Sequence, residues 1–473
     1  MVTVEDGLLR VRGLDQAELI VDGGALHLVA GPNRIELAGG ELLVTGEVTG
    51  EITVSADSRI VTHHYHFLDP QLTGRLVGAG SLTLTSETLN QEWGHSLVVA
   101  GASPDFTGAV TVDSLLVNVR DELALGTGSI EVLPGGRLHL APLGFPRSLV
   151  MANEVHLNGG EFRGFGGSGD ASRLSGDLSV TGRSIVAEVD LLGSVYLRDG
   201  ATLTTYGEFA TQFLGPINVG GQVAVEYGLT PVDRDEEHPL QIYGTISSAA
   251  ATSVLNLVDY GLSEILLDAS YHASAGQSLQ ILKDGQPLAL RLATPGKAIS
   301  GEGTILNAVE VADGAAIAPG ASLGVLHLAD IATLSGGGIY DWEMNVHDGV
   351  AGEGWDLLQV DGEMTFAGTP EDPWVLRISD ISAAAFESGG TWLIANAGEI
   401  AGFDPGSARI DVGPLTARYP SLASSPFSLD ADAGALSLSL QVVSGDFDLN
   451  GQVDGADLLA WQRGESPNPQ SVS

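Results

Sequence analysis

An all-β solenoid is the fold class this sequence predicts, and three observations predict it. Short runs alternate apolar and polar residues with period two, as in "ELLVTGEVTGEITV" (Glu41–Val54) and "SLTLTSETL" (Ser81–Leu89). That alternation marks half-buried strands. Glycine supplies 64 of the 473 residues and recurs between those runs. One unit also keeps returning: an apolar residue, a short spacer, Gly-Gly or Gly-Ala, then an alternating strand.

The unit appears as "VDGGALHL" (Val21–Leu28), "LAGGELLV" (Leu37–Val44), "LPGGRLHL" (Leu133–Leu140) and "LNGGEFRG" (Leu157–Gly164). It returns as "LRDGATLTT" (Leu197–Thr205) and "VADGAAIAP" (Val311–Pro319). Glycine suits a turn that needs φ > 0, and the apolar positions after it point inward. Imperfect repeats of this length fit stacked coils, each covering the core of the next. An array of β-sandwiches is the alternative, since it also gives short strands and glycine turns. Long 3.6-period stretches are nearly absent.

The stretch from Gly78 to Leu140 opens "GAGSLTLTSETLN" and closes "LALGTGSIEVLPGGRLHL". It resembles the autotransporter-associated β-strand repeat in its order of Gly-x-Gly, Thr/Leu strand, "TG" turn, "LGTGSI" and Gly-Gly turn. "SGEGTILNAVEVADGAAIAPGASLGVLHL" (Ser300–Leu328) and "GWDLLQVDGEMTFAGT" (Gly354–Thr369) are similar to the later part of such passengers. The resemblance implies a right-handed parallel β-helix acting as a stalk or adhesive surface. No membrane-barrel segment follows in this sequence, so a complete autotransporter is not expected.

These patterns divide the chain into three expected regions. Residues 1–369 form the solenoid. Residues 370–443, where the pattern loosens, form a terminal β section that closes the exposed solenoid end, because an uncovered edge invites aggregation. Within it, "ISDISAAAFESGG" has room for a short helix. Residues 444–473 carry something different.

"GDFDLNGQVDGADLLAWQRG" (Gly445–Gly464) places oxygen ligands at calcium-loop spacing. Asp446, Asp448 and Asn450 take loop positions 1, 3 and 5, and Gly451 takes the sharp turn at 6. Gln452 offers its backbone carbonyl at 7, and Asp454 and Asp457 stand at 9 and 12. Calcium is the expected cofactor. A helix should run from Gly455 to Arg463 and stop at Gly464, with Leu458, Leu459 and Trp461 as an apolar face for a partner. An ordinary EF-hand ends on Glu and follows a helix; here position 12 is Asp and strand precedes the loop.

Both departures resemble the dockerin half-motif. That resemblance implies a cohesin-like protein module as partner and an extracellular assembly, often of polysaccharide-degrading proteins. Dockerins pair two loop–helix units, whereas this sequence closes with "ESPNPQSVS" after one. A truncated, EF-hand-like loop–helix is therefore expected, and its short helix needs a partner to be stable.

Composition excludes several function classes. Sixty acidic residues against twenty basic ones give a formal charge of −40, which repels nucleic acid and anionic membranes and attracts cations. No cysteine is present, so disulfides, thiolate metal sites and cysteine nucleophiles are out. No run approaches the roughly 18 apolar residues of a membrane span, and the opening "MVTVEDGLLRVRGLDQ" has no signal-peptide pattern. A secreted or cell-surface location is expected from the resemblances, with the export signal lying outside this chain.

Other motifs carry less. "GASLG" (Gly320–Gly324) matches the nucleophile elbow around Ser322, but a strand follows it rather than a helix. "GFGGSG" (Gly164–Gly169) lacks the βαβ context of a dinucleotide fingerprint. In "THHYHF", His64 and His66 share a strand face without an identifiable third ligand. His27, His139 and His327 sit in "LHL" as outward positions. "DRDEEHP" (Asp233–Pro239) reads as a solvated loop. No catalytic residue is assigned. The leading expectation is an extracellular stalk or adhesion protein with a calcium-dependent docking element. The alternative is a polysaccharide lyase or glycoside hydrolase on the same β-helix, recruited by the tail. A polysaccharide or cell-surface ligand is the partner expected of the solenoid.

Overall fold

The computed structural model describes residues 2–5, 8–11, 18–28, 34–63, 69–87, 96–142, 148–164, 171–206, 210–227, 240–260, 265–320, 322–346, 349–380, 390–416, 427–440, 445 and 452–464. It is a parallel β-solenoid with one short helix near the C-terminus. The chain forms two compact units, Met1–Gly244 with Asn256–Leu267, and Thr245–Leu255 with Asp268–Ser473.

In the first unit, strands from successive coils stack in parallel ladders. Glu18–Val21 pairs with Arg34–Ala38 at the sixteen-residue spacing of the Gly-Gly units, Glu18 facing Arg34. A second ladder carries the core. Leu26 pairs with Leu42, Leu42 with Ile60, Ile60 with Leu84, Leu84 with Val112, and Val112 with Val132. Every member of that row is fully buried. Each such side chain contributes roughly 1.5–3 kcal/mol by leaving water, and the in-register row fixes which coil lies above which.

Glycine has two distinct jobs. Gly135 adopts φ 83°, a left-handed turn that L side chains avoid. Gly108 and Gly128 instead stand where backbones of adjacent coils touch. A Cβ on Gly108 would lie 1.9 Å from the Gly80 carbonyl oxygen, and one on Gly128 2.1 Å from that of Gly108. The column resumes at Gly176, Gly193, Gly215 and Gly244, each against the backbone of the preceding member or of Asn153. Asn153 holds its own place by donating from Nδ2 to the carbonyl oxygens of Gly126 at 3.1 Å and Gly128 at 2.7 Å.

The second unit has a heavier core. Trp342, Trp374, Trp392 and Tyr340 are fully buried, with Trp342 and Trp392 6.4 Å apart between ring centres. Parallel pairing continues past Pro370: Ile339–Met344 pairs with Trp374–Asp380, and Leu357–Phe366 pairs with Gly390–Ala401. An antiparallel hairpin, Phe427–Asp432 with Ala435–Leu440, then lies against Gly390–Ala401. Strand order thus changes within the region expected to close the solenoid. Of "ISDISAAAFESGG" (Ile378–Gly390), where a short helix is expected, the first three residues end the strand Trp374–Asp380 and residues 381–389 lie outside the described residues. Among the described residues, no helix is long and apolar enough to cross a membrane.

Candidate functional site

The C-terminal helix spans Gly455–Arg463, as its sequence signals predict. Asp454 caps it, its Oδ1 accepting the Ala456 N–H at 2.7 Å, while Asp457 Oδ2 accepts the Asp454 N–H at 2.5 Å. This reciprocal box satisfies two donors that a helix start leaves open, and both carboxylates favour the positive end of the helix dipole. Gly464 ends the helix at φ 64°, its N–H donating to the carbonyl oxygens of Ala460 and Trp461.

Of the expected calcium ligands, Gln452, Asp454 and Asp457 are described; Asp446, Asp448 and Asn450 lie outside the described residues. Gly445, at the start of the loop, adopts φ 92° and sits so close to Val453 that a Cβ there would contact Val453 Cγ1 at 3.4 Å. Asp457 is only 2% exposed. A carboxylate turned inward is costly unless donors or a cation meet it, and hard oxygen donors are what calcium takes. Of these donors the Asp457 carboxylate is already met by the Asp454 N–H. The side chains expected to meet a partner are exposed: Leu458 is 53% exposed, Leu459 49% and Trp461 43%, and Val453 joins them at 58%.

Ser322 is exposed in a bend between the strands Ala316–Pro319 and Val325–Leu328, with no helix behind it. The elbow reading fails for the reason the sequence indicates. His64, His66 and Asp233–Pro239 lie outside the described residues, as does all of "GFGGSG" but its first glycine. His27 turns away from its leucine neighbours, as expected of an outward position. It is 6% exposed, with Nε2 3.1 Å from Thr45 Oγ1, so packing covers it all the same. His139 and His327 are half-buried, and each faces a carboxylate.

Two polar groupings went unseen in the sequence because coil stacking assembles them. In the first unit, Glu161 Oε1 meets His139 Nε2 at 3.1 Å and accepts from Tyr206 Oη at 3.1 Å. Burial raises the Glu161 pKa, but those hydrogen bonds together with the His139 and Arg137 charges outweigh it and hold the carboxyl below its ordinary value. The Tyr206 hydroxyl is pushed up, by burial first and by the Glu161 charge next. Arg163 donates from Nε to Glu188 Oε2 at 2.9 Å and lies 5.7 Å from the Tyr206 ring centre. Glu188 itself adopts φ 56°, a strained backbone for a side-chain-bearing residue.

In the second unit, Ser278 pairs with Thr304, Thr304 with His327, His327 with Gln359, and Gln359 with Asn396. The result is an outward row of hydroxyl, imidazole and amide groups. Nothing in one coil's sequence announces either grouping.

Among the described residues, no group of three or more His, Asp or Glu side chains is arranged to hold a metal ion. No model of a known protein family matches the sequence, and comparison with curated proteins returns no match. The two resemblances therefore rest on the residues that carry them.

Proposed function

We propose that this chain is an extracellular β-solenoid that presents its outward side-chain rows as an adhesion surface and carries a calcium-dependent docking element at Gly445–Gly464. One observation carries the docking part: Asp457 is buried toward the loop while Leu458, Leu459 and Trp461 of the same helix face solvent. Calcium bound by the loop would fix the helix start. The exposed apolar side chains would then meet a protein partner, and the dockerin resemblance implies a cohesin-like module in that role. The charge of −40 favours an environment rich in divalent cations and disfavours nucleic acid.

Isothermal titration of the full chain with calcium tests this reading. Saturable binding that is lost in Asp457→Ala supports it, as does a Trp461 fluorescence change missing from Trp461→Phe. Absence of any calcium-dependent signal at millimolar calcium would refute the docking element.

A second reading, a polysaccharide-active enzyme, draws on the Glu161 grouping, where a half-buried tyrosine, a histidine and an arginine converge on carboxylates. Release of reducing sugars or unsaturated uronides, abolished in Tyr206→Phe, is its test. A flat substrate panel removes it.

A further inference from the structure

The outward row in the second unit has the chemistry of a ligand site. Ser278, Thr304, His327, Gln359 and Asn396 occupy one register position on five adjacent parallel strands. An open trough of about 440 Å³ runs beside the first four, with Gln277 and Glu302 also in its wall. Gly303 also lines it, packed so closely that a Cβ there would lie 2.4 Å from the Ser274 carbonyl oxygen.

The row is neither apolar nor an ion-pair network. Asn396 Nδ2 donates to Gln359 Oε1 at 3.0 Å, and Thr304 Oγ1 stands 3.4 Å from His327 Nδ1. His327 Nε2 is 2.8 Å from Asp361 Oδ1, close enough to pair with a protonated imidazole but not aligned as a hydrogen bond.

We propose that this trough binds a neutral oligosaccharide lying across the strands. This names the ligand class for the adhesion surface put forward above and rests on that part of the reading. Three arguments select the class. Hydroxyl, imidazole and carboxamide groups each both donate and accept hydrogen bonds, as sugar hydroxyls do, so each sugar can be met from either side. Stacked strands repeat every ~4.8 Å, close to the length of one pyranose unit in an extended chain, so successive rungs meet successive sugars.

Charge decides the rest. The row contains no Lys or Arg, the groups that hold carboxylate- or sulfate-bearing polymers, and the chain's charge of −40 repels them. Glu302 and Asp361 at the flank accept from hydroxyl pairs and would oppose a uronate.

The test is isothermal titration and saturation-transfer NMR on the full chain. The probes are neutral gluco-, xylo-, manno- and galacto-hexaoses, with polygalacturonate as the anionic comparator. Expected is saturable binding of at least one neutral hexaose, weakened several-fold to about tenfold by Gln359→Ala and by Thr304→Val, the loss of one or two net hydrogen bonds. Thr333→Val, on the separate strand Ala332–Leu334, should leave affinity unchanged. No binding across the neutral panel overturns the proposal. So does preference for polygalacturonate, or equal loss in Thr333→Val. Calcium titration of the same samples keeps the two readings apart. A normal calcium response without sugar binding removes this proposal alone, and sugar binding without a calcium response removes the docking element alone.

Discussion

Asp356 should make the second unit less stable as pH rises, against the usual behaviour of a carboxylate. It is fully buried. Its Oδ1 accepts the Gly324 N–H at 3.0 Å, its Oδ2 accepts the Glu343 N–H at 2.9 Å, and its own carbonyl oxygen accepts from Trp342 Nε1 at 2.9 Å. Burial pushes the carboxyl up to about 8, with the Glu343 and Asp341 charges adding to it and the two amide donors opposing it. An unfolded Asp titrates near 3.9. Between those values the folded protein holds a proton that the unfolded chain has released, so unfolding free energy falls as pH rises. About four units at ~1.4 kcal/mol each give a loss on the order of 5 kcal/mol from pH 4 to pH 8. Asp341 and Glu343, also raised by burial, act in the same direction.

Urea unfolding followed by tryptophan fluorescence reads this locally, because Trp342, Trp355, Trp374 and Trp392 are all buried in this unit. In Asp356→Asn, one amide donor must face an NH₂ group. That costs about 1–3 kcal/mol at every pH and removes most of the slope. A wild-type midpoint that is flat or rises between pH 5 and pH 8 would refute the reasoning. So would an Asn variant that keeps the full slope.

The glycine column gives a sharper contrast. Gly108→Ala places a methyl group against backbone that cannot rotate away and should cost about 1–3 kcal/mol or more in thermal melts followed by circular dichroism. Gly455→Ala, at an open helical position, should stabilise the C-terminal helix by up to ~1 kcal/mol, read as slower amide exchange. Asp454→Ala should cost the same helix about 1 kcal/mol through its lost cap, visible as faster exchange at Ala456. Glu161→Gln should destabilise the first unit by about 1–3 kcal/mol. Because folding lowers the wild-type Glu161 pKa, its contribution is present above the unfolded value and lost as pH falls through the folded one. Acid titration below about pH 4.5 should therefore unfold wild type more steeply than the variant.

The parts legible in the sequence are those fixed within one strand or one turn. Alternation placed Leu26, Leu42 and Leu84 inward, and the structure buries all three. The Gly464 stop is legible and ends the helix where expected, whereas the Asp454–Asp457 capping box is not, both residues reading in the sequence as metal ligands. What escaped is set by stacking between coils of unequal length. Gly80, Gly108 and Gly128 look like turn glycines, yet their shared property is backbone contact across coils, which no local pattern records. His27 alternates outward correctly, but alternation says nothing of what covers an outward position. Glu161 meets partners 22 and 45 residues away, His139 and Tyr206, in a register that sequence spacing leaves open.

The same stacking ties the proposed sugar row to the core. Leu279 pairs with Ile305, Ile305 with Leu328, and Leu328 with Val360, one position along from the outward row, and all four are fully buried. A slip of one residue in any of these strands would carry its leucine or isoleucine into solvent and its polar neighbour into the core. The inward row therefore enforces the alignment of Thr304, His327 and Gln359 without contacting any ligand. The backbone ladder sets the position of each outward residue, while its side chain adds only contacts within the row, such as Asn396 to Gln359. On such a scaffold a binding face is specified by register first and by side-chain choice second, so Ile305 controls the trough's geometry while Thr304 controls its chemistry.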